Sequence, residues 1–167
     1  MKTFLKQKHK FKLLNYKIYR PIPHQYVSMI STTIIENVSI IININNRPIR
    51  FTSAYCPRYT KSFIDDINKI TTTTSKFFVF GDFNAQHTSW NCQGNNAAGR
   101  NLYNHQMNST YYIHSSNTYT RFGQRTTPTQ ASVIDLLLTN SNLNISPMET
   151  HPGLLNSDHV PLTCQIY

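Results

Sequence analysis

Acids are scarce in this sequence. Seven Asp and Glu stand against sixteen Lys and Arg among 167 residues, a formal net charge of +9. Such an imbalance speeds encounters with polyanions and favours sequence-independent contacts to phosphate, although a plain soluble basic protein carries the same charge. Cysteine is scarce too. Cys56, Cys92 and Cys164 are an odd, widely spaced set with no Cys-x-x-Cys pair. That pattern excludes a disulfide framework and a zinc signature, and makes a reducing compartment the default. No uninterrupted apolar run approaches the roughly eighteen residues that cross a bilayer. The basic start lacks a following apolar h-region, so it does not read as a secretory signal. A soluble, intracellular chain without membrane contact is expected. Apolar residues reach only 39%, below the roughly 45–50% of ordinary domains, and the core is expected to be thin.

The length fits one domain. Lys2, Lys6, Lys8, Lys10, Lys12 and Lys17 crowd the start. Residues 1–14 therefore read as a basic flexible arm, or as a dedicated nucleic-acid or nuclear-import element. Residues 15–167 form the domain, with no repeat and no linker. Residues 15–20 alternate weakly and predict a short strand, ended by Pro21 and Pro23. Residues 34–44 and 48–55 predict a hairpin about Asn45-Asn46-Arg47, because Asn tolerates the positive dihedrals of such turns. Ser62 and Asp65 have the spacing of a capping box, and Phe63, Ile64, Ile67 and Ile70 recur at helical spacing. Residues 71–74 read as a loop and residues 97–108 as a weaker helix held by Ala98, Leu102, Tyr103 and Met107. Short strands are expected at 111–113, 119–122 and 143–148, and a last one at 160–166. Arg121 and Arg125 bracket a Gly-containing turn.

Three stretches carry chemistry. Lys76-Phe-Phe-Val-Phe80 is an apolar run that predicts a buried strand. It ends at Gly81-Asp82-Phe83-Asn84, with His87 and Trp90 close behind. Asp and Asn are common turn residues, so this is either a chain reversal or the mouth of a site beyond a strand end. Asp135 sits within Val133-Ile-Asp-Leu-Leu-Leu138, where a carboxylate is costly to bury unless paired. It either points outward or pairs with a histidine. Ser157-Asp158-His159 precedes Pro161; adjacent side chains diverge in an extended segment, so only a turn aims both Asp158 and His159 at one cleft. The plain alternative is a Ser-Asp turn with an exposed imidazole. Of the seven acids, Asp82, Asp135 and Asp158 fall inside these motifs. A zinc site from His87, Cys92 and His105 lacks ligand spacing, and His87 and Trp90 are assigned to packing.

Gly81-Asp-Phe-Asn-Ala85, Ser132-Val-Ile-Asp-Leu136 and Ser157-Asp-His159, in that order, resemble the endonuclease/exonuclease/phosphatase superfamily, and within it the endonuclease domains of insect-type non-LTR retrotransposons. The resemblance implies an α+β fold, a two-sheet β-sandwich flanked by helices as in deoxyribonuclease I. It also implies metal-dependent phosphodiester hydrolysis, a DNA-nicking endonuclease associated with a reverse transcriptase. In that pattern Asp82 orients or deprotonates the attacking water and Asn84 holds it with a phosphate oxygen. His159, positioned by Asp135, stabilises charge on the phosphoryl group. Asp158 helps bind Mg²⁺ or Mn²⁺, and Tyr55, in Ser53-Ala-Tyr-Cys-Pro57, contacts the phosphate or packs in the core. DNA is the implied partner, with no obligate protein partner evident and a nuclear location for a working retrotransposon enzyme.

The chain departs from the family at its start. The strands ending in the family's Asn and in its Gln-Glu pair are missing, and Glu36, in a hairpin strand, does not match the missing metal-binding Glu. An N-terminally truncated domain with reduced or no activity is expected. The alternatives are a non-enzymatic nucleic-acid-binding remnant and a phosphatase of the same superfamily.

Overall fold

The structure, a computed structural model, describes residues 26–44, 46–72, 75–122, 131–140, 145–151 and 157–167. The basic arm, the strand expected at 15–20 and the glycine turn between Arg121 and Arg125 lie outside them. The hairpin is present: β2 (Glu36–Ile44) pairs antiparallel with β3 (Arg47–Tyr55), and Asn46 takes the positive φ of 61° that its turn requires. Before it, β1 (Tyr26–Ser28) lines the free edge of β2.

Helix α1 (Phe63–Thr71) carries the chain from β3 back to β4 (Lys76–Asp82), which runs parallel to β3. Phe63, Ile67 and Ile70 bury one stripe of the helix, as their spacing predicts. The predicted capping box does not form. Ser62 is itself helical in backbone and makes no side-chain cap, and Asp65 faces solvent. The first-turn acid that matters is Asp66. Its fully buried carboxylate accepts hydrogen bonds from the backbone N–H groups of Thr33, Ile34 and Ile35. Thr71 closes the helix rather than opening the loop.

A single 3₁₀ turn (Thr88–Trp90) and α2 (Ala97–Met107) follow. Asn96 caps α2 by accepting from the N–H of Gly99. Ala98 and Leu102 are buried, but Met107 is 62% exposed and holds nothing. Next come β5 (Tyr112–His114) and β6 (Asp135–Thr139), an antiparallel pair that completes a six-stranded sheet of order β1-β2-β3-β4-β6-β5. A two-stranded sheet, β7 (Glu149–Thr150) with β8 (Leu162–Thr163), is the second layer.

The apolar runs are continuous because β4 and β6 are covered on both faces. Phe77, Val79, Leu136 and Leu138 pack with α1 and α2, whereas Phe78 and Leu137 meet Met148 and Leu162 of the second layer. Several expected strands are shorter than their patterns. Residues 119–122 pair only through Arg121, and residues 145–148 only at Ile145 and Met148, with Pro147 between them offering no N–H. The last strand starts after Pro161 for the same reason, at Leu162.

Candidate active site

Sheet register builds the site. Glu36 faces Tyr55, Tyr55 faces Asp82 and Asp82 faces Asp135, one row across β2, β3, β4 and β6. Residues directly opposite one another share a face of the sheet, so the row sets three acids and a phenol side by side. Gly81 makes the close pairing possible. A Cβ there would lie 1.9 Å from the backbone oxygen of Ala54, so any side chain would push β4 off β3 and move Asp82 away from Tyr55.

Asn84 forms a turn at the strand end, beside Asp82. Its φ of 47° lies in the left-handed region that Asn tolerates. The backbone N–H of Asn84 donates to Asp82 Oδ1 at 2.8 Å, an Asx turn that fixes the carboxylate. Asn84 Nδ2 donates to the Cys56 carbonyl at 2.8 Å, tying the turn to the end of β3.

The C-terminal motifs reach the row through a backbone staple. Arg121 bridges Ser132 on one side and His159 on the other. The N–H groups of Phe122 and Val160 donate to the carbonyls of Asp158 and Thr120, and Thr120 Oγ1 accepts from the N–H groups of Ile134 and Asp135. His159 is thereby held against both acids. Its Nδ1 lies 2.8 Å from Asp135 Oδ2 and its Nε2 lies 3.6 Å from Asp82 Oδ2. Asp135 opens β6 rather than lying within it, so its carboxylate is half-buried and paired, not stranded in the core. Ser157 Oγ accepts from the backbone N–H of His159, while the two ring nitrogens of His159 face Asp135 and Asp82, so the histidine is not paired with Ser157 as in a serine triad. Asp158 turns to a different partner, Arg121, whose Nε is 3.0 Å from Asp158 Oδ2.

Electrostatics divide the roles. Burial and the Asp135 charge push the Asp82 carboxyl up to about 6, against the pull of the Asn84 N–H, His159 and Arg121. Burial alone would depress His159, but the hydrogen bond and charge of Asp135, with Asp82 and Asp158, outweigh it and raise the imidazole. Burial would raise Asp158, yet the Arg121 hydrogen bond and the His159 charge hold it below the ordinary carboxylate range. Burial, Asp82 and Glu36 raise the Tyr55 phenol, which is 38% exposed and not a core residue.

The four residues Asp82, Asn84, Asp135 and His159 thus share one site, with Tyr55 in the same row and Asp158 at its Arg121 side. His87 and Trp90 are packing groups. The His87 ring stacks on Tyr103 at 4.3 Å, its Nδ1 accepts from the N–H of Ser89, and Trp90 Nε1 donates to the Ala85 carbonyl. Cys92 Sγ contacts the Val133 carbonyl and His105 links Tyr111 to Asn68, so neither serves a zinc site with His87. Reading along the chain missed Glu36 and Arg121. Only the register and the staple bring them in.

A two-layer sandwich with an Asp–His pair facing a second Asp across its central strands defines a member of the endonuclease/exonuclease/phosphatase superfamily, whose members hydrolyse phosphate esters. Residues 49–163 match the profile of the endonuclease-reverse transcriptase family, and the chain belongs to that family. It is 32% identical over 151 residues to the probable RNA-directed DNA polymerase from transposon X-element of Drosophila melanogaster, a match covering 87% of this chain and 16% of that protein. Its fold is that of the endonuclease domain of TRAS1, a telomere-specific non-LTR retrotransposon, with a TM-score of 0.67 at 20% identity over 85% of this chain and 68% of that one. The inositol polyphosphate 5-phosphatase domain of SPsynaptojanin, solved with inositol (1,4)-bisphosphate and calcium, shares the fold at a TM-score of 0.55 and 17% identity, over 85% of this chain and 53% of that one.

Proposed function

We propose that this chain is a DNA-nicking endonuclease domain of a retrotransposon, acting in the nucleus on a backbone phosphodiester. The observation that carries this reading is His159, held at 2.8 Å by Asp135 and at 3.6 Å from Asp82. Asp82 is the general base. A carboxyl raised to about 6 is ionised at neutral pH yet basic enough to take a proton from water. His159 is the charged donor to the phosphoryl oxygens. Asp135 accepts its Nδ1–H, which fixes the tautomer and leaves Nε2–H for the substrate. Asn84 and Tyr55, beside Asp82, supply further donors for water and phosphate.

The donor set suits a hard divalent cation in one respect. Asp158 stays ionised and its side chain is 37% exposed, as a ligand to a largely hydrated Mg²⁺ or Mn²⁺ would be. Among the described residues no three candidate ligands converge, so such an ion would rest on Asp158, water and the substrate's own phosphate. It would neutralise phosphoryl charge. The +9 charge of the chain favours a polymer of phosphates over a single one.

Supercoiled plasmid and an inositol phosphate, assayed side by side with Mg²⁺, test the substrate class. Nicking without release of inorganic phosphate is the expected result; the reverse pattern would replace this reading by a phosphatase. Asp135→Asn offers a sharper probe of the site. Asn can present the wrong group to Nδ1 and carries no charge, so nicking should fall by at least about 10²-fold and up to about 10⁴-fold, the cost of losing the carboxylate that fixes an imidazole's tautomer, with DNA binding unchanged. A rate equal to wild type would remove Asp135 from the mechanism.

A further inference from the structure

Among the described residues, the fixed cation that acts on the row is Arg121. Asp82, Asp135 and Asp158 border the site, and the substrate read above is itself an anion. A phosphodiester entering such a row meets repulsion that a protein cation offsets even before any metal ion is bound. Arg121 is that cation.

We infer that Arg121 is a phosphate-binding catalytic residue, held by Asp158 and donating its remaining N–H edge to the non-bridging oxygens of the scissile phosphodiester. This rests on the phosphodiesterase reading above. Three independent features support it. Its backbone bridges both Ser132 and His159, so the residue is anchored between the two segments that deliver Asp135 and the imidazole. Its Nε is committed to Asp158 Oδ2 at 3.0 Å, whereas Nη1 and Nη2 make no hydrogen bond among the described residues. An arginine bound through Nε keeps the end-on fork that matches two oxygens of a phosphate. Its charge also acts, more weakly than burial and the neighbouring acids, against the rise of the Asp82 carboxyl and the Tyr55 phenol, which puts the partly exposed guanidinium within electrostatic range of the row.

A purely structural role accounts for less. The side chains of Arg121 and Asp158 are 41% and 37% exposed, and ion pairs that open to water contribute little to stability. Asp158 then has a second task, as the positioning residue that preorganises the guanidinium before substrate arrives.

Binding separates Arg121 from the rest of the machinery. A fluorescent DNA duplex is titrated by anisotropy in EDTA, at several salt concentrations between about 50 and 200 mM. Arg121→Ala should flatten the slope of log affinity against log salt by about 0.9, the value of one lost phosphate contact. Arg121→Gln, which keeps an amide for Asp158 and guards against misfolding, should flatten it equally. Arg100→Ala, on the exposed face of α2, should leave it unchanged. In plasmid nicking, Arg121→Ala should lose about 10²-fold, with partial recovery in Arg121→Lys. An unchanged slope in both Arg121→Ala and Arg121→Gln overturns the inference, whatever the nicking rate. If His159→Ala abolishes nicking while Arg121→Ala nicks like wild type, the inference fails and the endonuclease reading stands. If His159→Ala also nicks like wild type, it is the placement of the reaction at this site that fails, and absence of nicking by the wild-type chain with Mg²⁺ is what overturns the endonuclease reading.

Discussion

Nicking of supercoiled DNA should fall by about 10²–10⁴-fold in His159→Ala, the range for removing a proton-transfer group or a single stabilising donor from a site. His159 lies against two acids of the row at once, through Nδ1 to Asp135 and through Nε2 toward Asp82. Losing it deprives the phosphoryl group of a donor and leaves two carboxylates facing each other without a cation between them. The pH profile carries the sharper signature. Wild-type nicking needs Asp82 ionised, so its acid limb lies near the raised value of about 6. It needs His159 protonated, so its alkaline limb lies above the ordinary imidazole value. The two groups are coupled, and both limbs belong to the pair. His159→Ala removes the alkaline limb. It also moves the acid limb upward, because the His159 charge is one of the influences pulling Asp82 down. A residual rate with an unaltered bell would mean that another group supplies the proton.

Where the chain itself encodes geometry, the sequence could be read. Alternation and an Asn-rich turn specify the β2–β3 hairpin, and an apolar run ending in Gly81-Asp82 specifies β4 and the residue at its tip. Asp135 was legible because a carboxylate beside five apolar neighbours demands a partner, and His159 proved to be that partner. What stayed hidden depends on pairing between distant segments. Glu36 looks like any polar strand residue until the parallel register of β3 and β4 carries the row across to it. Arg121 reads as one side of a turn until its backbone is seen bridging Ser132 and His159. The family resemblance implies a metal ligand at Asp158, and no local pattern announces the guanidinium 3.0 Å away. The capping box failed for a related reason. Ser62 and Asp65 have the spacing, but Ser62 joins the helix and Asp66, one position further, is claimed by residues more than thirty positions upstream.

Asp66→Ala should destabilise the fold by roughly 3–5 kcal/mol, since three N–H groups lose a charged acceptor, each such bond contributing about 1.5–3 kcal/mol and water replacing part of the loss at Thr33 and Ile34. For a chain of this length that lowers Tm by roughly 10 °C. The carboxylate has no exposed surface, and Lys69 at 3.5 Å is too open to water to offset much. Backbone donors from Ile34, Thr33 and Ile35 overcome the burial that would otherwise raise Asp66, and hold it below the ordinary carboxylate value. A depressed folded pKa means that the stabilisation is fully present above the unfolded value of about 4 and is lost as pH falls through the folded value. Wild type should therefore lose stability on acidification below about pH 4 more steeply than Asp66→Asn, which has no charge to lose there. Asp65→Ala, exposed on the same turn, should change stability by no more than about 0.5 kcal/mol. The same contact fixes the site, because residues 33–35 lead directly into Glu36 and the Tyr55 row. A thermal melt of Asp66→Ala matching wild type would show that the loop before β2 is held by something other than this carboxylate.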